Sequence, residues 1–489
     1  MSDHQPSSTR RRVIVVGAGV AGLAAALAAR EAGAAVEVLE RAPEAETGGN
    51  TRYTEAFMRM KSIDEPADGL AEALLGDFFG HPDPGLSVEA VRDRGRQSSL
   101  LRGHHLIDPD LVNTLVDRAP ATLRWLTGFG VRFDQLPTPF PTTSTSRISP
   151  VGGGLALVET LGAAARSAGV RFHFRTTAHS LVVDEAGTVG GVRARTPDGM
   201  VTFAGQVVLA CGGFQGNAEM LARYLGQGAL TTRPVARGGN YNKGEGIEMA
   251  LALGAAPAGN FALFHAEPVD PRSGAPEAAL FCFPYGILVN GAGMRFVDEA
   301  PAPADACYER VTRVIHAQPG GVAHVILDAR AMEIPNLRAS IRTDQPPVVA
   351  DTVPQLAAQI GVPAEALQST VSAYNQACRD GAFDHRAPDG LATDGLVPPK
   401  SNWARPIDQP PLYAYPIMAA NVFTFGGLKT TTRAEVVSRD GDPIPGLYAA
   451  GEMTGLYYTN YTGSTSVLRG AVFGRIAGTH AATGGPREP

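Results

Sequence analysis

The chain has 489 residues, of which 44% are hydrophobic and 18% charged, so it can bury a large core and is not a disordered polymer. Its 42 basic and 48 acidic residues give a net charge of −6, which argues against a nucleic-acid-binding protein. The four cysteines form no CxxC pair, so we expect neither a disulfide framework nor a structural metal site, and a reducing cytoplasm fits.

The amino-terminal region contains a stretch that resembles a targeting signal. Residues 1–10 are polar, and we expect a flexible tail there. Residues 13–29 are uncharged and follow three arginines, but their glycines have a fixed spacing and Arg30-Glu31 stands where a cleavage region would be. Residues 409–428 are also uncharged, but prolines and a glycine pair interrupt them. We therefore predict neither a targeting segment nor a membrane span.

The first predicted elements form a strand–helix–strand unit. RRVIVV is a β-branched run that suits a buried parallel strand, an alanine-rich helix follows, and AAVEVLE is a second strand. Gly17, Gly19 and Gly22 are spaced to permit a tight turn, a close approach of a pyrophosphate and close helix–strand packing. Glu40, at the end of the second strand, suits an adenosine ribose. The pattern predicts a dinucleotide-binding unit; the alternative is a glycine turn in a nucleotide-free sheet.

A second glycine-rich loop helps to decide between cofactors. The first fingerprint serves NAD as well as FAD. The loop TGGNT (47–51) follows directly after the second strand and would bring further backbone close to a longer cofactor. This arrangement favours FAD over a nicotinamide-dependent reductase without flavin.

Three later segments return to the same predicted domain. Residues 169–183 have the pattern of a strand, a turn and another strand, and QVVLACGGF (206–214) is a buried strand that ends in a glycine pair. IPGLYAAGEMTG (444–455) predicts a strand and a loop, and a helix opens at residues 464–466. The amino end of that helix suits the flavin pyrimidine carbonyl, where electron density accumulates on reduction.

The middle of the chain has a different character. From about residue 261 to 410 the α/β alternation weakens and proline-rich loops surround a helical stretch at 367–379. We therefore predict an α/β fold in which a Rossmann-like, glutathione-reductase-type FAD-binding domain (11–260 and 411–489) carries an inserted α+β capping domain (261–410).

Five stretches resemble one flavoprotein superfamily. They are GGNTRYT (48–54), GILVNGAGMRFVDE (286–299), SNWARPIDQPPLYAYPI (401–417), FTFGGLKT (423–430) and IPGLYAAGE (444–452). With the amino-terminal fingerprint, they make nearly the whole chain similar to the fumarate reductase/succinate dehydrogenase flavoproteins, and within these to the FAD-dependent tricarballylate dehydrogenase-like branch. The resemblance implies an oxidoreductase that moves a hydride between flavin N5 and a carbon–carbon bond adjacent to a carbonyl or carboxylate.

The same resemblance implies a set of FAD contacts. Glu40 would hold the adenosine ribose, Glu452 the ribitol, and the backbone of Ala178 the adenine. Succinate dehydrogenases attach FAD through a histidine that has no counterpart in residues 42–46, so we expect non-covalent FAD. The predicted cofactor-binding residues are Gly17, Ala18, Gly19, Ala21, Gly22, Glu40, Arg41, Gly48, Gly49, Asn50, Thr51, Ala178, Gly212, Glu452, Ser466 and Val467.

The chain departs from fumarate reductases at the substrate site. Fumarate reductases use an arginine as the general acid, and residues 300–305 hold no counterpart of it. Val422-Phe423 stands where those enzymes have a histidine. Tyr461 replaces a carboxylate-binding arginine, and it resembles the tyrosine with which ketosteroid dehydrogenases polarise a substrate ketone. We expect residues 305–308, which follow the missing arginine, to lie in a surface loop.

Four side chains are candidates for the chemistry, each with a structural alternative. Tyr461 could donate a hydrogen bond or act as a base, or it could be a tyrosine at the edge of the core. His265 could contact substrate or be bonded to backbone. Arg295 could bind a substrate carboxylate or pair internally with Glu299, and Arg237 could face the cleft or be a solvated loop residue.

The leading hypothesis is therefore an FAD-dependent CH–CH dehydrogenase or reductase that acts on a small molecule. One alternative is a ketosteroid-dehydrogenase-like enone-forming enzyme. The other is an electron-transferring flavoprotein subunit, whose relay would be external because this chain has no cysteine cluster for an iron–sulfur centre. The identity of the electron acceptor is left open.

Overall fold

The computed structural model describes residues 11–76, 91–93, 97, 107–136 and 138–484; the tail expected at residues 1–10 lies outside them. None of the helices in these ranges is both long enough and apolar enough to cross a bilayer. The helices are α1 (Val20–Glu31), α2 (Leu70–Leu75), α3 (Pro109–Gly128), α4 (Gly153–Ser167), α5 (Ala218–Leu225), α6 (Glu245–Ala252), α7 (Ala304–His316), α8 (Val353–Ile360), α9 (Ala364–Ala377) and α10 (Ser466–Thr483). The strands are β1 (Arg12–Val16), β2 (Ala35–Leu39), β3 (Phe133–Asp134), β4 (Ser149–Pro150), β5 (Arg171–His173), β6 (Thr177–Val183), β7 (Val189–Thr196), β8 (Gly199–Ala204), β9 (Gln206–Leu209), β10 (Arg233–Pro234), β11 (Pro257–Ala258), β12 (Phe264–Val269), β13 (Ile287–Asn290), β14 (Val322–Leu327), β15 (Val348–Ala350), β16 (Leu412–Thr424), β17 (Gly427–Leu428), β18 (Glu435–Val437) and β19 (Pro443–Ala449).

The first of two large sheets carries the predicted dinucleotide unit. Its order is β18-β19-β9-β1-β2-β5, and every pairing is parallel except that of the edge strand β18. The central strands β1, β2 and β9 are runs of buried valine, isoleucine and leucine, which suits a parallel sheet covered on both faces. The expected strand–helix–strand unit and the Rossmann-like α/β fold are confirmed.

The carboxyl-terminal helix α10 packs along α1, so the two ends of the chain meet beside this sheet. Alanine and glycine make up much of both helices, and most of their residues are buried. A Cβ atom on Gly478 would lie only 2.0 Å from the backbone oxygen of Ala25, so glycine is needed for this close approach. The predicted contribution of both chain ends to one site therefore has a direct packing basis.

The second large sheet is built around the thirteen-residue strand β16. β16 pairs with β10 in parallel and with β12, β14 and β15 antiparallel, and β13 pairs with β14. Helix α7 packs on the face that includes Val325 and Ile417, and α9 on the face that includes Ile287 and Ile326. The second sheet is thus a layer between helices.

The second sheet lies against the first at the end of β16. The backbone N–H of Thr424, the last residue of β16, donates a hydrogen bond to Glu452 Oε1 just beyond β19, at 2.9 Å. The predicted extent of the capping domain, 261–410, stays a prediction. The second large sheet also includes β10, which precedes residue 261, and β16, which follows residue 410.

Candidate active site

A cavity of about 1260 Å³, counted with its opening to solvent, lies at the carboxyl ends of β1, β2, β9 and β19. Ligands of open α/β sheets bind at this edge because loops and helix amino ends meet there. Every residue predicted to bind the cofactor lines the cavity except Gly22. The cavity is also lined by residues that the sequence pattern does not single out, among them Tyr241, Asn242, Glu245 and Glu277.

Gly22 has a packing position instead of a cavity position. A Cβ atom there would lie 1.9 Å from the carbonyl oxygen of Gly17, so only glycine lets α1 approach the turn that leaves β1. Gly17 itself has a φ of +102°, and a Cβ on it would lie 2.4 Å from the Ala210 oxygen. The expectation of close helix–strand packing at Gly22 is met, and its direct contact with the cofactor stays a prediction.

Glu40 closes β2 and organises the turn as well as facing the cavity. Its carboxylate accepts hydrogen bonds from the backbone N–H groups of Ala18, at 2.9 Å, and Ala42, at 2.8 Å. Burial raises the pKa of this carboxyl, and the two N–H groups counteract that effect. The acid predicted to bind a ribose is therefore held in place by the first glycine turn.

The second glycine loop forms another part of the cavity wall. Gly48 has a φ of +116°, and the short 3₁₀ helix Gly49–Tyr53 follows it. Thr51 Oγ1 accepts a hydrogen bond from the Val20 N–H at the start of α1, at 3.2 Å. Asn50 donates to the Val422 oxygen at 2.7 Å, while its buried Oδ1 has no hydrogen-bond partner among the described residues. An unpaired buried oxygen in a cavity wall fits a site that receives a polar ligand.

Glu452 and the start of α10 form the opposite part of the wall. The half-buried Glu452 carboxyl accepts hydrogen bonds from the side chains of Gln215 and Asn242, both at 3.3 Å, and desolvation raises its pKa. Ser466 and Val467, the first residues of α10, line the cavity. The cavity wall therefore extends from Glu40, the acid expected to bind a ribose, to the amino end of α10. Its residues fit an extended dinucleotide.

An aromatic cluster of His265, Tyr308, Phe423 and Tyr461 lies beside the start of α10. The rings of His265 and Tyr461 are 4.2 Å apart between centroids, and Phe423, which lines the cavity, is 5.0 Å from Tyr461. His265 Nε2 and the Tyr308 hydroxyl are 3.2 Å apart. Two of the predicted catalytic residues, His265 and Tyr461, are therefore brought together one ring away from the cavity.

Burial sets the charge state of this cluster. It lowers the pKa of His265 well below its usual value, with a further contribution from the Arg313 charge, so the imidazole is neutral at pH 7. Burial also raises the pKa of Tyr308 well above its usual value, so its hydroxyl keeps its proton. His265 Nδ1 has no hydrogen-bond partner among the described residues. The cluster thus presents neutral polar groups.

The Tyr461 hydroxyl is tied to the amino end of α10. It accepts hydrogen bonds from the backbone N–H groups of Thr465, at 3.1 Å, and Ser466, at 3.2 Å. It donates its own proton to Ser466 Oγ at 3.2 Å. Because two N–H donors and the helix dipole face this oxygen, it is placed to share negative charge that develops on a neighbouring group.

The structure does not bring the other two predicted catalytic residues to the cavity. The Arg295 guanidinium is almost fully buried and makes two hydrogen bonds to Glu299, at 2.9 and 2.6 Å, which is the internal pair. Arg237 is exposed, because the short 3₁₀ helix that it begins buries Gly238 and Gly239 instead. Neither residue lines the cavity or belongs to the aromatic cluster, and the catalytic role expected of each stays a prediction that this geometry does not support.

The surface loop expected at residues 305–308 is also wrong. These residues belong to α7, and the Asp305 carboxylate is fully buried. It accepts hydrogen bonds from the Ser144 and Thr145 hydroxyls, at 3.0 and 3.1 Å, and pairs with Arg147 at 2.6 Å. These partners lie about 160 positions earlier, at a separation where local pattern carries no signal.

Comparisons with known proteins agree with this geometry. The family model described as "FAD binding domain" matches residues 12–468. An NADH:acrylate oxidoreductase of Vibrio harveyi is 30% identical over 96% of the chain and 50% of that protein, and a urocanate reductase of Eggerthella lenta is 29% identical over 96% and 74%. The solved 3-ketosteroid-Δ4-(5α)-dehydrogenase of Rhodococcus jostii RHA1 is 26% identical over 99% of both chains, with a TM-score of 0.69. The chain spans only half the length of the acrylate oxidoreductase. It belongs to the FAD binding domain family, and its cofactor is FAD.

Proposed function

We propose that this chain oxidises, or in the reverse direction reduces, a carbon–carbon bond next to a neutral carbonyl. It is an FAD-dependent oxidoreductase of CH–CH groups, as its similarity to reductases of acrylate and urocanate and to a ketosteroid dehydrogenase indicates. The observation that carries the narrower proposal is the aromatic cluster. It places two tyrosine hydroxyls and an uncharged histidine beside the cavity, where the resemblance to fumarate reductases implies an arginine.

The residues around the cavity support a specific placement of FAD. Bound FAD supplies the flavin N5 that exchanges a hydride with the substrate. We assign the pyrophosphate to the backbone of Gly17 and Gly19, the adenosine ribose to Glu40 and the ribitol to Glu452. The amino end of α10 would then lie near the flavin pyrimidine carbonyl, where it would stabilise negative charge. The attachment is non-covalent in this proposal, since residues 42–46 hold no histidine.

Tyr461 polarises the substrate carbonyl in this proposal. Its hydroxyl turns from Ser466 Oγ, 3.2 Å away, to the carbonyl oxygen, which becomes negative as the neighbouring carbon loses its proton. The N–H groups of Thr465 and Ser466 continue to face the phenol oxygen and strengthen its O–H as a donor. His265 holds the Tyr308 hydroxyl through its Nε2 atom and so fixes the far side of the cluster.

We also propose that residues 261–410 form the cap over this site. Helix α7 carries Tyr308 into the cluster, and His265 is only 4% exposed, so water has little access to the polar groups. Hydrogen bonds in such a surrounding are stronger than in water.

The four cysteines are free, which supports a cytoplasmic location.

A carboxylate substrate is the second candidate, in line with the tricarballylate dehydrogenase-like branch. The Arg59 guanidinium interacts electrostatically with Tyr461, and its buried Nε has no hydrogen-bond partner among the described residues. The neighbouring Arg147 is already paired with Asp305 at 2.6 Å. Arg59 is therefore the group to which a substrate carboxylate would bind.

Anaerobic bleaching of the flavin tests both candidates. Purified holoenzyme is mixed with succinate, tricarballylate or cyclohexanone, and the dithionite-reduced enzyme with fumarate, cis-aconitate or cyclohex-2-enone. We expect the flavin to respond to the ketone and enone, and an exclusive response to the carboxylates would support the second candidate instead. Acid precipitation should release all the FAD into the supernatant. A flavin that responds to none of the six compounds contradicts the proposed CH–CH chemistry on these substrate classes.

A further inference from the structure

Glu277 is a carboxyl group in the cavity wall that the proposed function has not used. It lines the cavity together with Thr54, Val422 and Phe423, next to the aromatic cluster, and is only 8% exposed. Its φ of +48° is unusual for a residue with a side chain. The strained backbone is held by hydrogen bonds from the Glu277 N–H to the Val235 oxygen and from the Ala279 N–H to the Glu277 oxygen. Strain of this kind persists where a side chain must point in one direction.

Three carboxyl groups share one guanidinium at this end of the cavity. Arg342 lies 3.0 Å from Glu55 and 3.5 Å from Glu277. Glu267 on β12 completes the group, since the charges of Glu277 and Glu55 both act on it. The Arg342 charge, together with the Arg147 charge that also acts on Glu55, does not neutralise three neighbouring carboxylates, so the acidic cluster of Glu55, Glu267 and Glu277 retains a proton more readily than an isolated carboxyl would.

Burial strengthens the same tendency. It raises the pKa of Glu277, an effect that Arg342 opposes and Glu55 adds to. It also raises the pKa of Glu267, with a further increase from the charge of Glu277. Glu267 in turn acts on Tyr308, whose pKa is raised first by burial. The acidic cluster and the aromatic cluster are therefore electrostatically connected.

The acidic cluster also connects the cavity with solvent. The side-chain exposure increases from 10% at Glu277 through 25% at Arg342 to 36% at Glu55. His265 is uncharged at pH 7, and the Tyr461 hydroxyl is engaged with α10. Glu277 thus lines the cavity, has a raised pKa and is connected with solvent through Arg342 and Glu55.

We propose that Glu277 is a catalytic acid–base residue, which takes the substrate proton in desaturation and returns it in reduction. This proposal rests on the proposed function. In desaturation, the C–H bond next to the carbonyl breaks and its proton forms an O–H bond on the Glu277 carboxylate. The electron pair left behind forms the C=C bond as the neighbouring carbon loses a hydride to FAD, which is thereby reduced by two electrons. The reverse reaction starts from protonated Glu277 and reduced FAD.

The first test needs no substrate. The absorption spectrum of the oxidised holoenzyme is titrated with pH, because a carboxyl beside the flavin changes its spectrum on ionising. Glu267 and Glu55 are the titratable groups that face Glu277, while the Arg342 charge and a hydrogen bond with the Thr54 side chain favour its ionised form. We expect a spectral transition in the parent protein, its loss in Glu277→Gln, and its retention in Glu333→Gln, which removes an exposed carboxyl elsewhere. A Glu277→Gln protein that keeps its FAD and the full transition overturns the proposal.

The second test uses rapid mixing with whichever of the six compounds bleaches the flavin. Glu277→Gln should slow flavin reduction by about 10²–10⁴-fold, the usual contribution of an acid–base residue, with little change in apparent affinity. Glu277→Asp should recover part of the rate. Desaturation by the parent should speed up as pH rises through the Glu277 pKa, because the carboxylate is the base, and the reverse reaction should slow down. A parent-like rate of flavin reduction in Glu277→Gln overturns the proposal. If none of the six compounds changes the flavin spectrum, the proposed function is contradicted, and the spectral titration alone then decides the role of Glu277.

Discussion

The cavity has two walls that differ in the kind of group they present. The wall around β1, β2 and α1 offers mainly backbone, through Gly17, Ala18, Gly19 and Gly48. The opposite side is formed by Glu277 and Phe423 and by the acidic and aromatic clusters to which they belong, whose side chains come from positions as much as about 400 residues apart, such as Glu55 and Tyr461. A backbone wall is sensitive to atoms added where the cofactor approaches it but is insensitive to most side-chain chemistry. A side-chain wall can keep its shape through a substitution that abolishes its chemistry.

The largest effect is expected from adding one methyl group to the glycine turn that supports the backbone wall. In Gly22→Ala, the new Cβ would lie 1.9 Å from a backbone oxygen that cannot move without separating α1 from β1. We expect loss of FAD together with a large loss of stability. The measurements are the ratio of flavin to protein absorbance after purification and the thermal unfolding midpoint.

Gly19→Ala is the matched control for this substitution. Gly19 has a φ of −73°, and the nearest atoms to an added Cβ are 3.5 Å away, so the protein should fold. Its FAD content should fall nevertheless, because the added methyl group occupies the closest approach to the pyrophosphate. Normal FAD content and normal stability in Gly22→Ala would contradict the packing argument.

The backbone wall was predictable from sequence because its information is local. The spacing of Gly17, Gly19 and Gly22 and the acid at Glu40 fall within one strand–helix–strand unit, where steric rules fix the geometry. The segments around Glu452 and Ser466 were predictable through strand and helix patterns and through the family resemblance. All these positions lie in the cavity wall or its turn.

The side-chain wall was only partly predictable, because packing between distant segments decides it. The family resemblance points to His265 and Tyr461, but no local pattern distinguishes Glu277. The acid–base role proposed for Glu277 rests on its strained backbone and on its pairing with Arg342, which lies 65 positions later in the chain. Tyr308 was assigned to a surface loop because the prolines before it suggest irregular structure. Pro303 in fact precedes the first residue of α7, a position that proline tolerates.

A substitution of Arg295 tests whether its buried charge, which lies outside both walls of the cavity, contributes only to the stability of the fold. Arg295→Met removes the partner of the fully buried Glu299 carboxylate, and breaking such a pair typically costs about 3–5 kcal/mol. We expect a clearly lower midpoint of chemical unfolding with unchanged FAD content and flavin reduction. Arg237→Gln, at an exposed position, is the control and should change stability by less than about 0.5 kcal/mol. Slow flavin reduction in a folded Arg295→Met protein would return Arg295 to the active site.

Tyr461→Phe tests the side-chain wall with the smallest structural change, the loss of one hydroxyl. The ring contacts with His265 and Phe423 should remain, so FAD and much of the substrate affinity should be kept. The carbonyl oxygen loses a directed donor, which typically slows reaction by about 10²–10³-fold, or roughly 3–4 kcal/mol of barrier. The N–H groups of Thr465 and Ser466 lose an acceptor as well, so the unfolding midpoint must be measured alongside the anaerobic rate of flavin reduction. A variant that is less stable but reduces its flavin at the parent rate would show that Tyr461 only anchors α10, and the group that polarises the carbonyl would then be Tyr308.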